Sequence, residues 1–286
     1  MNNSPETRAM VYKGLKEDVQ ENSFQKTSIH TLNEKNKGYG ELKSCKNELM
    51  VKICGITRAN DLKCVESQGS DYIGFINVKR SPRFCEIDKI KGLVGLLADK
   101  NRAVLVLEPE NPSEAFNKIK SSEIFNIQLH SLDLSELRDL KNKINSLISN
   151  NSEEGYFKIN IIRAIGLSDI IDESKKREIQ SFSEICDALL FDYQMQGKSG
   201  GTGKQIPLDL AIKASKIARN TNRNIKIFLA GGMDRNRMKT EGKIISKFFD
   251  VVDFNSSLED APGIKNKEKI KKLMNLLKEF NWRCKA

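Results

Sequence analysis

From Val51 onward the chain repeats one hydrophobic plan: a short β-branched or apolar run, a polar or glycine-containing loop, then a stretch with apolar residues at helical spacing. Eight such runs occur: Val51 to Cys54, Tyr72 to Ile76, Ala103 to Leu107, Phe125 to Leu129, Ile159 to Ala164, Ala188 to Phe191, Ile225 to Ala230 and Val251 to Phe254. They have the length and residue types of buried strands. Helical segments such as Asn60 to Gln68, Ser113 to Ser121, Leu134 to Leu147, Leu208 to Arg219 and Lys267 to Phe280 fall between or after them. Eight strands alternating with helices over roughly 235 residues predict a single (β/α)8 barrel. A doubly wound open sheet is the runner-up, but it would usually have fewer strands and often a G-x-G-x-x-G turn after the first, which this chain lacks. The connections around Asn142 to Lys158 and Leu167 to Phe182 are long and read as surface insertions.

Residues 1–49 depart from this plan. They are rich in Asn, Lys, Glu and Ser and show no strand alternation, which predicts a disordered or weakly helical polar extension ahead of a catalytic domain at 50–286. The extension has no apolar core of the signal-peptide kind, and acidic residues such as Glu6, Glu17 and Asp18 argue against a transit peptide. Its own charges nearly cancel, so almost all of the chain's net charge of +10 belongs to the folded part. Because Met50 stands directly before the first strand, the extension is expected to be dispensable or to arise from an upstream start codon.

Composition narrows the function classes. Of 286 residues, 38% are hydrophobic and 30% charged, as in a soluble globular protein. No apolar run approaches the ~20 residues a membrane span needs. Basic and acidic residues are interspersed, and only 7% of the chain is aromatic. Nucleic-acid binding, which favours a basic stripe with stacking aromatics, is therefore not expected. The basic balance equally suits a substrate that carries phosphate and carboxylate groups. Cys45, Cys54, Cys64, Cys85, Cys186 and Cys284 form no C-x-x-C pair and have no histidine cluster beside them, which predicts reduced thiols in a cytoplasmic protein and no zinc site. Histidine is limited to His30 and His130, so acid–base chemistry must rest mainly on Asp, Glu, Cys, Lys or Tyr.

In a barrel the loops after the strands converge on one face, and that face can be read off the chain. Cys54 closes the first strand; a lone cysteine is more often a small core residue than a reactive one. The second strand leads into Lys79-Arg80-Ser81-Pro82-Arg83-Phe84, where a guanidinium could meet a carboxylate with a bidentate fork. Gln128 and His130 fall on one side of the fourth strand's end, as a structural pair or as part of the site. The sixth strand ends in Asp192 and is followed by a glycine-rich stretch holding Gly201, Thr202 and Gly203, which reads as a phosphate cradle, a mobile lid or a plain flexible turn. It is not a Walker A loop. The seventh and eighth strands run into Gly231-Gly232 and Asn255-Ser256-Ser257, small-residue turns whose N–H groups and hydroxyls suit a phosphate.

Taken together, these motifs resemble the phosphoribosylanthranilate isomerase family of tryptophan biosynthesis. The resemblance spans Met50 to Leu277 and rests on Lys52-Ile53-Cys54-Gly55-Ile56-Thr57-Arg58, Ile73-Gly74-Phe75 with Ser81-Pro82-Arg83, Gln128-Leu129-His130, Leu190-Phe191-Asp192, Gly200-Gly201-Thr202-Gly203-Lys204, Leu229-Ala230-Gly231-Gly232, and Val252-Asp253 with Ser256 and Glu259. It implies a barrel that carries out an Amadori rearrangement, with Cys54 as general base, Asp192 as general acid and Arg83 as ligand for the anthranilate. Gly231, Gly232, Ser256 and Ser257 would hold the phosphate, and Gln128, His130, Gly201, Thr202, Gly203 and Asp253 are further candidates. The chemistry needs one acid and one base on opposite sides of a sugar, without metal or organic cofactor. A thiol of pKa ~8.5 needs a positive field to act near neutral pH, and a carboxyl of pKa ~3.9 must be raised by ~3 units to stay protonated there.

Two departures stand out. The family usually has Ser-Ser-Gly where this chain has Asn255-Ser256-Ser257, and a glycine where it has Ser131. A positive φ at Ser257 would be strained, although its hydroxyl could add a donor. Two other readings stay open: a histidine-pathway aminoaldose isomerase, which usually relies on two strand-end aspartates, and an inactive barrel serving as a binding module. The partner expected is a phosphorylated small molecule, with a homodimer one option.

Overall fold

The computed structural model describes residues 49–150, 158–195, 198–199 and 205–283. The extension before Leu49 and the stretch holding Gly201, Thr202 and Gly203 lie outside the described residues. Eight strands form the barrel: β1 (Met50–Ile53), β2 (Tyr72–Asn77), β3 (Ala103–Leu107), β4 (Asn126–Leu129), β5 (Asn160–Leu167), β6 (Ala188–Met195), β7 (Lys226–Leu229) and β8 (Val251–Phe254). Each pairs in parallel with the next, and β8 pairs with β1 in a register that sets Lys52 beside Asp253, so the sheet closes.

Alternation along the strands produces two apolar layers. In β3, Val104 and Val106 point into the barrel with Ile162, Leu190, Phe228 and Val251, whereas Leu105 and Leu107 join the layer beneath the helices. Burying side chains of this size stabilises the fold by about 1.5–3 kcal/mol each. The barrel interior also takes polar residues. Lys52 is completely buried, and Asn126, Gln128 and Asp192 are nearly so.

The helices are α1 (Ala59–Ser67), α2 (Ile87–Val94), α3 (Pro112–Ser122), α4 (Leu134–Asn150), α5 (Glu173–Ile185), α6 (Leu208–Thr221), α7 (Arg235–Phe248) and α8 (Lys267–Arg283). Side-chain caps fix several of their starts. Asn111, Asp172 and Asp234 accept backbone N–H bonds from Glu114, Lys175 and Arg237, and Asp133 with Glu136 forms a reciprocal capping box. As far as they are described, the two stretches expected as insertions are largely helical. α4 continues to Asn150, and Glu173–Ile185 is α5, a polar helix anchored by few apolar residues, among them Ile179 and Phe182. After β8 come a short 3-10 turn, Ser256–Leu258, and a hairpin of Glu259–Ala261 with Ile264–Lys265. Among the described residues no helix is long and apolar enough to cross a membrane.

Candidate active site

A cleft of about 190 Å³ opens at the carboxyl ends of the strands. Cys54, Arg83, Gln128, His130, Asp192, Gly231, Gly232, Asp253 and Ser256 all line it. Nine of the residues singled out in the sequence thus share one cavity, although they come from six of the eight strand ends. Ser257 does not line it. Its hydroxyl donates to the Met233 carbonyl at 2.7 Å and is turned from the cleft, correcting the expectation that it adds a donor there. Nor does it need a positive φ: among non-glycine residues described, only Glu123 and Leu132 have one.

Cys54 reaches the cleft because β1 sends alternate residues inward and because its neighbour has no side chain. A Cβ on Gly74 would come 2.6 Å from Cys54 Sγ. Beneath the thiol lies Lys52, whose ammonium donates to Asp253 Oδ2 at 2.6 Å and to Gln128 Oε1 at 2.9 Å. Burial works against this charge, yet Asp253 and the thiol hold the Lys52 pKa above its ordinary value. Burial also pushes the Cys54 thiol up, with Lys52 the strongest opposing influence and Lys265 a further one.

Asp192 sits across the mouth at the end of β6. Burial raises its carboxyl to about 7 against the pull of the Tyr193 N–H, which it accepts at 2.8 Å; the Asp253 carboxylate adds to the rise. The glycine-rich stretch read as a cradle, lid or turn lies outside the described residues, and burial among those described already accounts for the direction. Gly231 permits this packing. Its φ is +74°, and a Cβ would lie 2.8 Å from Asp192 Oδ1.

His130 is a neutral member of the site. Burial, then Lys52, drives its pKa down to about 4. Since Gln128 Oε1 is taken by Lys52, the 2.7 Å contact between Gln128 Nε2 and His130 Nε2 makes the imidazole nitrogen the acceptor and leaves its proton on Nδ1. Asp253 Oδ1 is buried and has no hydrogen-bond partner among the described residues. Such an acceptor in a cleft wall suits a ligand hydroxyl.

Arg83 is held by Glu259, with Nε at 2.9 Å and Nη2 at 2.6 Å from the carboxylate. Arg80, from the same loop, pairs with Glu108 at the exposed rim. Lys52, Asn255 and Lys265 are structurally central, yet the sequence did not single them out as site residues. Lys52 had a signal, since it shares the inward face of β1 with Cys54; Lys265 had none, because only the hairpin after β8 brings it back to the site.

A closed parallel barrel that gathers a thiol, a raised carboxyl and an arginine around one cleft at the strands' carboxyl ends has the make-up of a barrel enzyme with acid–base groups. Residues 51–276 match the family model for N-(5'-phosphoribosyl)anthranilate (PRA) isomerase, and the chain belongs to that family. The N-(5'-phosphoribosyl)anthranilate isomerase of Methanothermobacter marburgensis is 31% identical over 229 residues, covering 80% of this chain and 94% of the relative. The fold is shared with phosphoribosyl anthranilate isomerase from Thermotoga maritima, at TM-score 0.63 and 21% identity over 81% of this chain and 99% of that one. A further isomerase structure, at TM-score 0.59 and 21% identity with the same coverage, holds reduced 1-(o-carboxyphenylamino)-1-deoxyribulose 5-phosphate.

Proposed function

We propose that Cys54 is the general base and Asp192 the general acid of the isomerisation, with Arg83 on the anthranilate carboxylate and the Gly231-Gly232 and Ser256 turns at the phosphate. The overall reaction is that of the family: N-(5'-phosphoribosyl)anthranilate becomes 1-(2-carboxyphenylamino)-1-deoxyribulose 5-phosphate, a step of tryptophan biosynthesis. The observation that carries the residue roles is the pairing of a buried thiol backed by Lys52 with a carboxyl raised to about 7 in one cleft.

Asp192 donates its proton to the furanose oxygen as the C1′–O bond breaks and the aniline nitrogen forms a C1′=N iminium. The Cys54 thiolate then removes the C2′ proton, and the electron pair moves toward the nitrogen to give an enolamine. Protonation of C1′ and loss of the C2′ hydroxyl proton complete the ketone. In the free site the thiol retains its proton, so the iminium, added to Lys52, supplies the field that makes it a base. Asp253 Oδ1 accepts from a sugar hydroxyl. The bound analogue in the related structure supports a phosphorylated ligand in a cleft of this kind. The free thiols of Cys54, Cys64, Cys85 and Cys186 support a cytoplasmic setting.

A fluorescence assay with freshly made phosphoribosylanthranilate tests the roles. Cys54→Ala and Asp192→Asn should each reduce turnover by at least ~10². Near wild-type turnover in either variant removes that residue from its role.

A further inference from the structure

Behind Arg83 lies a buried cluster whose side chains make no hydrogen bond to Cys54 or Asp192, although Lys265 adds to the positive field on the thiol. Glu259 accepts Arg83 through Nε and Nη2, Lys265 Nζ at 2.8 Å and the Gly263 N–H at 3.2 Å. The Lys265 ammonium completes its bonds on Asn255, to the main-chain oxygen at 3.1 Å and to Oδ1 at 3.0 Å. Gly55 leaves room for the assembly. A Cβ there would come 2.7 Å from Arg83 Cδ and 2.6 Å from Asn255 Oδ1.

Two features distinguish this cluster from a rim salt bridge. The first is its charge. Two cations share one carboxylate, with side-chain exposures of 11% for Arg83, 4% for Glu259 and 0% for Lys265. A buried excess of positive charge is unfavourable until an anion completes it. The second is the geometry of the fork. Glu259 engages Nε and Nη2, which leaves the end of the guanidinium carrying Nη1 for a second carboxylate, and Arg83 lines the cleft.

We propose that Glu259, locked by Lys265 and Asn255, is a positioning residue that presents the outer edge of Arg83 to the substrate's aryl carboxylate, the cluster's excess positive charge selecting an acidic ring. The proposal rests on the assignment of Arg83 above and adds what orients the guanidinium. It also gives Asn255 a purpose, since its side chain sets an amide oxygen on the Lys265 ammonium.

Steady-state kinetics of the full chain with phosphoribosylanthranilate test this in wild type, Glu259→Gln, Glu259→Asp, Arg83→Met and the Arg83→Met/Glu259→Gln double variant. Glu259→Gln should raise KM about tenfold or more while kcat falls less than about threefold, because Glu259 bonds to neither Cys54 nor Asp192 and Lys52 remains the thiol's leading charged neighbour. Competitive inhibition by inorganic phosphate should stay within about twofold of wild type, and the double variant should match Arg83→Met, as expected if Glu259 acts through Arg83. If Arg83→Met raises KM and Glu259→Gln does not, the positioning role is overturned and Arg83 keeps its assignment. Unchanged KM in Arg83→Met removes the assignment and the proposal together. Parallel losses of kcat and phosphate affinity in Glu259→Gln would mean structural support only, which also overturns it. Should Glu259→Gln fail to fold, Glu259→Asp decides: a KM raised about threefold or more upholds the role, and an unchanged KM overturns it.

Discussion

The two sides of the barrel mouth bury a titratable group equally well and surround it with opposite charge. Cys54, at the end of β1, has Lys52 as its leading charged neighbour, and Asp192, at the end of β6, has Asp253. Burial raises both pKa values, because in each case it disfavours the anion. What differs is the leading charged neighbour: the ammonium makes a thiolate easier to reach, whereas the carboxylate, working against the Tyr193 N–H, helps Asp192 keep its proton. A single buried ion pair, Lys52–Asp253 at 2.6 Å, thus points its positive end toward the proposed base and its negative end toward the acid. Burial alone would give two inert protonated groups; the oriented pair makes them unlike.

Breaking that pair should have the largest effect. Lys52→Met leaves Asp253 buried without its cation and should destabilise the fold by about 3 kcal/mol in chemical denaturation, with Cys54 alkylated only at higher pH than in wild type. Replacing both partners, in Lys52→Met/Asp253→Leu, should recover most of the stability but not the thiol's reactivity. Full recovery of both would show that the pair does not polarise the mouth.

A smaller effect concerns the acid side. Since folding raises Asp192 from 3.8 to about 7, the native state holds a proton that the unfolded chain gives up. The contribution of this carboxyl to stability is complete below pH ~4 and is lost as pH rises through about 7. Asp192→Asn should therefore match wild type below about pH 4 and exceed it by about 2 kcal/mol at pH 5.5. A constant difference across that range would contradict the raised pKa.

The smallest effect is steric. Gly74→Ala puts a Cβ 2.6 Å from the Cys54 sulfur and 3.0 Å from its Cα, where the strand has little room to give. It should cost about 1–2 kcal/mol in stability and lower kcat more than KM, by displacing the proposed base. Unaltered kcat would show that the thiol's position is not critical.

How much of this was legible in the sequence follows from which interactions are local. The strands were readable because burial on both faces demands apolar runs; β5 and β6 extend further than their patterns, to Leu167 and Met195. Helices α2, α5 and α7 were not among the segments read from periodicity. α5 and α7 are polar overall and carry their start signal in the caps Asp172 and Asp234 instead. Cys54, Asp192 and Arg83 were identifiable because barrel chemistry collects at strand ends. Glu259 carries no comparable local mark for its tie to Arg83, 176 residues away, which exists only because the loops after β2 and β8 meet. The concern over Ser257 arose from a turn shape that the short 3-10 segment does not adopt.

The central claim is that a carboxyl held protonated near neutral pH faces a cation-backed thiol. Carbon-13 NMR titration of aspartate carboxyls in the free protein tests it most directly. The account predicts one resonance with a midpoint near 7, absent from Asp192→Asn. If the Asp192 resonance instead titrates in the ordinary aspartate range near pH 4, the account is contradicted.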